Sequence, residues 1–184
     1  MQKAKQRSEI AQQDKWRIED IYATDEAWEA DYNECIRRAK EKCVYQGRLA
    51  ESAQILYQAL KESDEADLLV EHVYVYAFMK YYEDTANAVY QEMSGRAQAA
   101  VTKLSEKYAF LTPEILAIDQ KKMQEYLNSD TLALYRHALE DMLAKKEHAL
   151  SEKEERLLAM AGQVTASPNE IFSKFNNADV KFGT

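Results

Sequence analysis

An all-α body of several long antiparallel helices is predicted by three observations. Four glycines and two prolines in 184 residues leave little material for tight hairpins. Helix-favouring Ala, Glu, Lys, Leu and Gln are abundant. Helix-start signals, a hydroxyl or an acid followed by carboxylates, recur along the chain. At 46% hydrophobic and 30% charged, the chain is globular and long enough for one sizeable core or two small ones.

Each element has its own justification. Thr24 precedes Asp25 and Glu26, a hydroxyl cap with acids at the positive end of the helix dipole, so the first helix is expected to run to about Tyr45 with Gly47 as its left-handed stop. A shorter helix is expected from about Ser52 to Lys61. Ser63, followed by Asp64 and Glu65, opens the next long segment, where Leu68, Leu69, His72, Val73, Tyr76, Met79 and Lys80 recur at helical spacing. Tyr74, Val75, Phe78, Tyr81 and Tyr82 cover the rest of the circumference, which marks a central helix. The phase resets after Glu83, with Thr85 as cap of a helix reaching about Phe110. Thr112-Pro113-Glu114 starts another, with proline where its missing N–H costs nothing. Asp119–Leu127 and Asp130–Lys146 read as two more helices, the latter with Leu132, Leu134, Tyr135, Leu139, Met142 and Leu143 on its apolar side. Capping boxes at Ser151-Glu154, closed by Gly162, and at Ser167-Glu170 mark the last helices. Asn177–Thr184 has turn chemistry and then a short alternating run, Val180–Phe182, so a short extended segment is expected at the C-terminus. No internal repeat is found, which disfavours a solenoid.

Charge excludes several function classes. A net charge of −8 and a pI near 5.0 repel phosphate backbones and anionic membranes, so neither nucleic acid nor membrane is an expected partner. The basic run from Lys3 to Arg7 reads as a solvated tail. No stretch approaches the ~20 apolar residues that span a bilayer, and Met1–Glu9 is too polar for a secretory leader, which makes the cytoplasm the expected location. Cys35 and Cys43, read on one helix at ~1.5 Å per residue, stand roughly 12 Å apart and stay reduced. Without a nearby histidine they read as small, partly buried side chains rather than as zinc ligands.

The residues that carry site chemistry are sparse. His72 lies within an apolar helix and reads as a core histidine satisfied by a tyrosine or a carbonyl. His137 shares a helix face with Glu140 and Asp141, a common coincidence on exposed helices, and His148 packs ahead of the Ser151 cap. A di-iron bundle needs two Glu-x-x-His units, whereas Leu69, Leu134 and Lys145 stand three residues before the histidines. Tyr74, Tyr76, Tyr81 and Tyr82 form an aromatic cluster able to stack on a peptide, although packing between long helices is the plainer reading.

Several segments, taken in order, resemble the oligoendopeptidase F family of zinc peptidases. Lys15-Trp16 followed by Asp20-Ile21-Tyr22 is similar to that family's opening, and Trp28 fits its next landmark. Tyr74-Val-Tyr-Ala77 with Tyr82-Glu-Asp-Thr85 resembles its central helical pair. The strongest match runs from His148-Ala-Leu-Ser-Glu-Lys-Glu-Glu-Arg-Leu-Leu-Ala159 to Ile171-Phe-Ser-Lys-Phe-Asn-Asn-Ala-Asp-Val-Lys-Phe182.

The resemblance implies the part that precedes the catalytic domain of a helical metallopeptidase, one that encloses short peptides in a deep cleft. In that family zinc is held by His-Glu-x-x-His and a further glutamate, the histidines sharing one helix face while the first glutamate activates the metal-bound water. None of His72, His137 and His148 begins such a motif, so no catalytic, cofactor-binding or metal-binding residue is assigned and this chain alone is expected to be inert. What the resemblance assigns is a place in the wall or lid of the cleft, which limits substrates sterically to oligopeptides. Residues 1–14 are expected to be a tail, 15–147 the helical domain, and 148–184 the start of the region leading into a catalytic domain that lies beyond this chain. Expected partners are that catalytic domain, an oligopeptide and, through the edge of Val180–Phe182, a second or swapped copy. The alternative is a stand-alone helical interaction module that grips a partner in an aromatic groove. A fragment would expose the face that docks on its missing domain, whereas a module would have a polar surface broken by one groove.

Overall fold

The computed structural model describes residues 9–85 and 87–148, together with Pro168, Ile171, Phe172 and Phe175. Among the described residues no strand occurs, in keeping with the predicted all-α class. The chain divides into two compact units, Lys5–Leu143, and Ala144–Thr184 with Met1–Ala4.

The larger unit is organised by three long helices: α1 (Asp25–Lys40), α2 (Ala53–Glu83) and α3 (Ala88–Tyr108). Four residues, Asp84 to Asn87, join α2 to α3, so the two run antiparallel. Thr24 caps α1 by accepting from the Ala27 N–H at 3.3 Å, as the sequence predicts, and Ser52, read only as the start of a helix, caps α2 by accepting from the Ile55 N–H at 3.2 Å.

Other boundaries differ from expectation. Ser63 starts no helix. It is buried inside α2, on the stripe Leu56, Ala59, Ser63, Ala66, Val70, Val73 and Ala77. With no glycine or proline from Ala53 to Glu83, the apolar stripe keeps its phase and the two expected helices fuse into one. Helix α2 packs extensively on α3, whose own buried face carries the small residues Ser94, Ala97 and Ala100. Leu68 and His72 fall outside the stripe and are exposed, so His72 is no core histidine. Asn87 rather than Thr85 caps α3, accepting from the Val89 N–H at 3.0 Å.

Helix α1 ends at Lys40 instead of Tyr45. The link that follows delivers Cys43 and Leu49 to the core. Cys43 therefore lies beyond the helix that carries Cys35; both thiols are buried and free. Gly47 does take the left-handed conformation, φ 81°, but in a turn closed by the Arg48 N–H on the Tyr45 carbonyl at 2.9 Å, and not at a helix end.

Two short helices, α4 (Leu111–Ala117) and α5 (Gln120–Leu127), continue from α3; Pro113 falls in the first turn of α4 and Asp119 caps α5. Glu114 on α4 accepts from the Gly47 and Leu49 N–H groups, each at 2.8 Å, and ties the 45–50 turn in place. The helix expected over 130–146 is divided: a 3-10 turn at Asp130–Leu132 precedes α6 (Arg136–Ala144). The break lets Arg136 donate to the Leu127 carbonyl at 2.7 Å, satisfying the end of α5, and leaves Leu134 exposed while Leu132 and Leu139 are buried. The capping boxes at Ser151 and Ser167 and the extended run Val180–Phe182 lie outside the described residues. Pro168, Ile171 and Phe172 are helical, and Ile171, Phe172 and Phe175 are exposed.

Candidate functional site: an aromatic and acidic face of the central helix

Two buried polar clamps fix how α2 presents its remaining faces. The Trp28 indole N–H of α1 donates to the Val73 carbonyl of α2 at 2.8 Å. Trp28 stacks on Tyr32, and the Arg96 guanidinium of α3 lies over both rings, 5.2 and 4.2 Å from their centroids, while pairing with Glu29. At the other end, Lys107 of α3 is almost enclosed. It donates to the Arg38 carbonyl at 3.0 Å and pairs with Glu62, which also accepts from the Tyr108 hydroxyl at 2.9 Å.

A third clamp begins at the first residue of α1. The Asp25 carboxylate accepts from Lys80 and from the Tyr76 hydroxyl, both at 2.8 Å, and Lys80 also sits over the Tyr76 and Tyr90 rings. Burial pushes the Asp25 pKa up, but the Lys80 and Tyr76 hydrogen bonds outweigh it and hold the carboxyl below its ordinary value. Tyr76 itself is pushed up to about 12, by burial first and then by donating to Asp25.

The structure divides the predicted tyrosine cluster. Tyr76 is a core residue, packed edge-on against Tyr22. Tyr74, Tyr81 and Tyr82 lie on another side of α2 and join Phe78 in a row of rings. Tyr74 stacks on Phe78 with centroids 4.2 Å apart, Phe78 lies 6.4 Å from Tyr81 and 6.1 Å from Tyr82, and Tyr81 and Tyr82 stand 5.3 Å apart. Tyr82 is 70% exposed and the other three are half-buried. Spacings of three and four residues put these rings on one face, and the same row runs back to the exposed carboxylates Glu71 and Asp67. Sequence reasoning grouped Tyr76 with the rings and missed Phe78, Glu71 and Asp67. The signal was the repeat 67, 71, 74, 78, 82, displaced by one residue from the buried stripe 66, 70, 73, 77.

An open depression of about 700 Å3 lies where α1 and α3 end, lined in part by Lys40, Lys42, Cys43, Lys103, Lys107 and Phe110. Lys107 is already committed to Glu62 and Arg38 there.

The histidines do not converge. His72 is exposed on α2 and His137 is exposed on α6; the side chain of His148 lies outside the described residues. Among the described residues no group of three or more His, Cys, Asp or Glu side chains is placed to hold a metal ion. The donors among the described residues do not fit a catalytic zinc, and no chemical step through zinc follows from them. No helix among the described residues is long and apolar enough to cross a membrane.

A family model described as Oligopeptidase F matches residues 114–182. Oligopeptidase PepF of Bacillus subtilis is 40% identical over 177 residues, covering 96% of this chain and 26% of that protein. An oligoendopeptidase F homolog of Lactococcus lactis is 40% identical over 183 residues, 97% of this chain and 30% of the relative. The crystal structure of oligoendopeptidase-F from Enterococcus faecium superposes with a TM-score of 0.71 at 30% identity, over 87% of this chain and 31% of that one. A putative peptidase from Chlamydophila abortus shares the fold, with a TM-score of 0.71 at 23% identity. The chain thus spans 26% to 30% of the length of the two curated relatives described.

Proposed function

We propose, from a chain that belongs to the oligoendopeptidase F family as its N-terminal region, that these helices form the wall or lid of the substrate cleft in a cytoplasmic zinc peptidase acting on short peptides. The observation that carries this reading is the match of nearly the whole chain to under a third of each relative, at about 40% identity. A region of that kind contributes shape rather than chemistry. Long helices locked by the Trp28, Lys107 and Asp25 clamps make a stiff barrier, and a stiff barrier admits flexible oligopeptides while turning folded proteins away. The zinc ligands and the general base belong in this reading to the further part of the polypeptide, which is also the main partner of this region. The division into a tail at 1–14, a helical domain at 15–147 and a connecting region at 148–184 belongs to the same proposal.

The test supplies zinc to this chain and to the full-length polypeptide and follows a quenched fluorescent oligopeptide alongside a folded protein. The full-length polypeptide is expected to cut the peptide and spare the protein, and this chain alone to cut neither. Peptide hydrolysis by this chain alone, or none by the full-length polypeptide, refutes the reading. The alternative, a stand-alone interaction module, draws its support from the half-exposed ring face of α2. It requires a full polypeptide without peptidase activity.

A further inference from the structure

We propose that the face of α2 from Asp67 to Tyr82 is a binding strip for a short extended peptide bearing cationic and aromatic side chains. The inference rests on the reading above and adds to it the class of substrate and the residues that select it.

The strip has two chemically distinct halves. Tyr74, Phe78, Tyr81 and Tyr82 form the aromatic half, with ring centroids 4.2 to 6.4 Å apart and Tyr82 70% exposed. Half-exposed tyrosines offer an apolar face with a polar edge, which suits a transient aromatic ligand. Several other rings of the domain are committed. Tyr22, Tyr76, Tyr108 and Tyr135 each donate to a carboxylate, and Trp28 and Tyr32 lie under Arg96. The rings of the strip pack chiefly on one another.

The second half is anionic. Asp67 and Glu71 are exposed on the same row, one turn apart, with Asp64 beside them. Burial and the charges of Asp64 and Glu71 push the Asp67 carboxyl up, a repulsion that a bound cation would relieve. Asp64 accepts from the Tyr135 hydroxyl at 2.7 Å, so the acids within reach of a ligand are Asp67 and Glu71. The net charge of −8 adds a long-range attraction for cationic peptides.

Length agrees with chemistry. From Asp67 to Tyr82 the helix rises roughly 22 Å at ~1.5 Å per residue, the span of about seven extended residues.

The probe is a synthetic peptide of about seven residues with arginines at one end and phenylalanines at the other, titrated calorimetrically into the 184-residue chain at low salt. Its control carries glutamates in place of the arginines. The cationic peptide is expected to bind at least about tenfold more tightly than the control and to weaken as salt rises. Glu71→Lys is expected to weaken it about tenfold and Tyr82→Ala about fivefold. Both side chains are exposed, so the circular dichroism of each variant should match the parent. Equal affinity for the two peptides, no binding, or binding indifferent to both substitutions overturns the proposal. It also falls if Tyr82→Ala leaves peptide binding intact but abolishes self-association or joining to the rest of the polypeptide, since the strip is then an interface. Peptidase activity of the full-length polypeptide is a separate readout, so either reading can fail alone.

Discussion

Trp28 of α1 donates its indole N–H to the backbone carbonyl of Val73 on α2 across 2.8 Å, in a fully buried contact that joins residues 45 positions apart in the sequence. The Val73 carbonyl sits mid-helix, and Trp28 is 1% exposed, so ring volume and hydrogen bond act together. Trp28→Phe keeps an aromatic ring but loses the donor and leaves a void. We expect a loss of ~2 kcal/mol, a fall in melting temperature of roughly 4–8 °C for a chain of this size, read by thermal unfolding.

The two glycines Gly47 and Gly95 should respond in opposite directions to alanine. An added Cβ meets nothing within 4 Å at either position, so space does not decide the outcome. Backbone conformation does. Gly47 has φ 81°, and Gly47→Ala should cost about 1 kcal/mol of strain. Gly95 lies inside α3, and Gly95→Ala should gain up to about 1 kcal/mol through helix propensity. Denaturant midpoints of the two variants, moving apart from the parent, check both.

Stability should fall on the alkaline side. Tyr22, Tyr76, Tyr108 and Tyr135 donate to Asp31, Asp25, Glu62 and Asp64, and burial followed by those hydrogen bonds raises all four, Tyr76 to about 12. A raised folded-state pKa means stability fully present below the ordinary tyrosine value of about 10 and lost as pH rises through the folded value. Denaturant midpoints measured upward from about pH 9 should therefore decline beyond about pH 10. Tyr108→Phe should flatten that decline, since one of the four donors no longer titrates.

Glu62 serves two donors at once, the Lys107 ammonium and the Tyr108 hydroxyl. Lys107 keeps the Arg38 carbonyl when the carboxylate is removed, but its charge is then uncompensated. Because Glu62 is 36% exposed, the loss in Glu62→Ala is expected near ~2 kcal/mol rather than the full cost of orphaning a buried charge. Glu62→Gln should recover part of it, and a double-mutant cycle with Tyr108→Phe would isolate the hydroxyl's share.

The sequence by itself determined the all-α class, the Thr24 cap, the helix starts near Ser52 and Asp119, the absence of a zinc-binding motif, and the resemblance to the oligoendopeptidase F family. These are local or compositional signals: scarce glycine and proline, hydroxyls or acids ahead of apolar periodicity, and runs of residue types in order. Tertiary structure decided what depends on which face turns inward. Ser63 looks like a cap in the sequence, yet it is buried within α2, and the buried stripe carries the helix through it. Leu68 and His72 read as core because they lie near apolar neighbours, but one step of helical phase, ~100° per residue, turns them to solvent, and Leu134 is turned out by the break before α6. Tyr74 and Tyr76 differ in the same way, one on the exposed ring row and the other sealed against Tyr22 and Asp25. Local chemistry starts and stops helices, whereas the burial that separates a core tyrosine from a binding tyrosine is set by partners far away in the chain, which no short window of sequence contains.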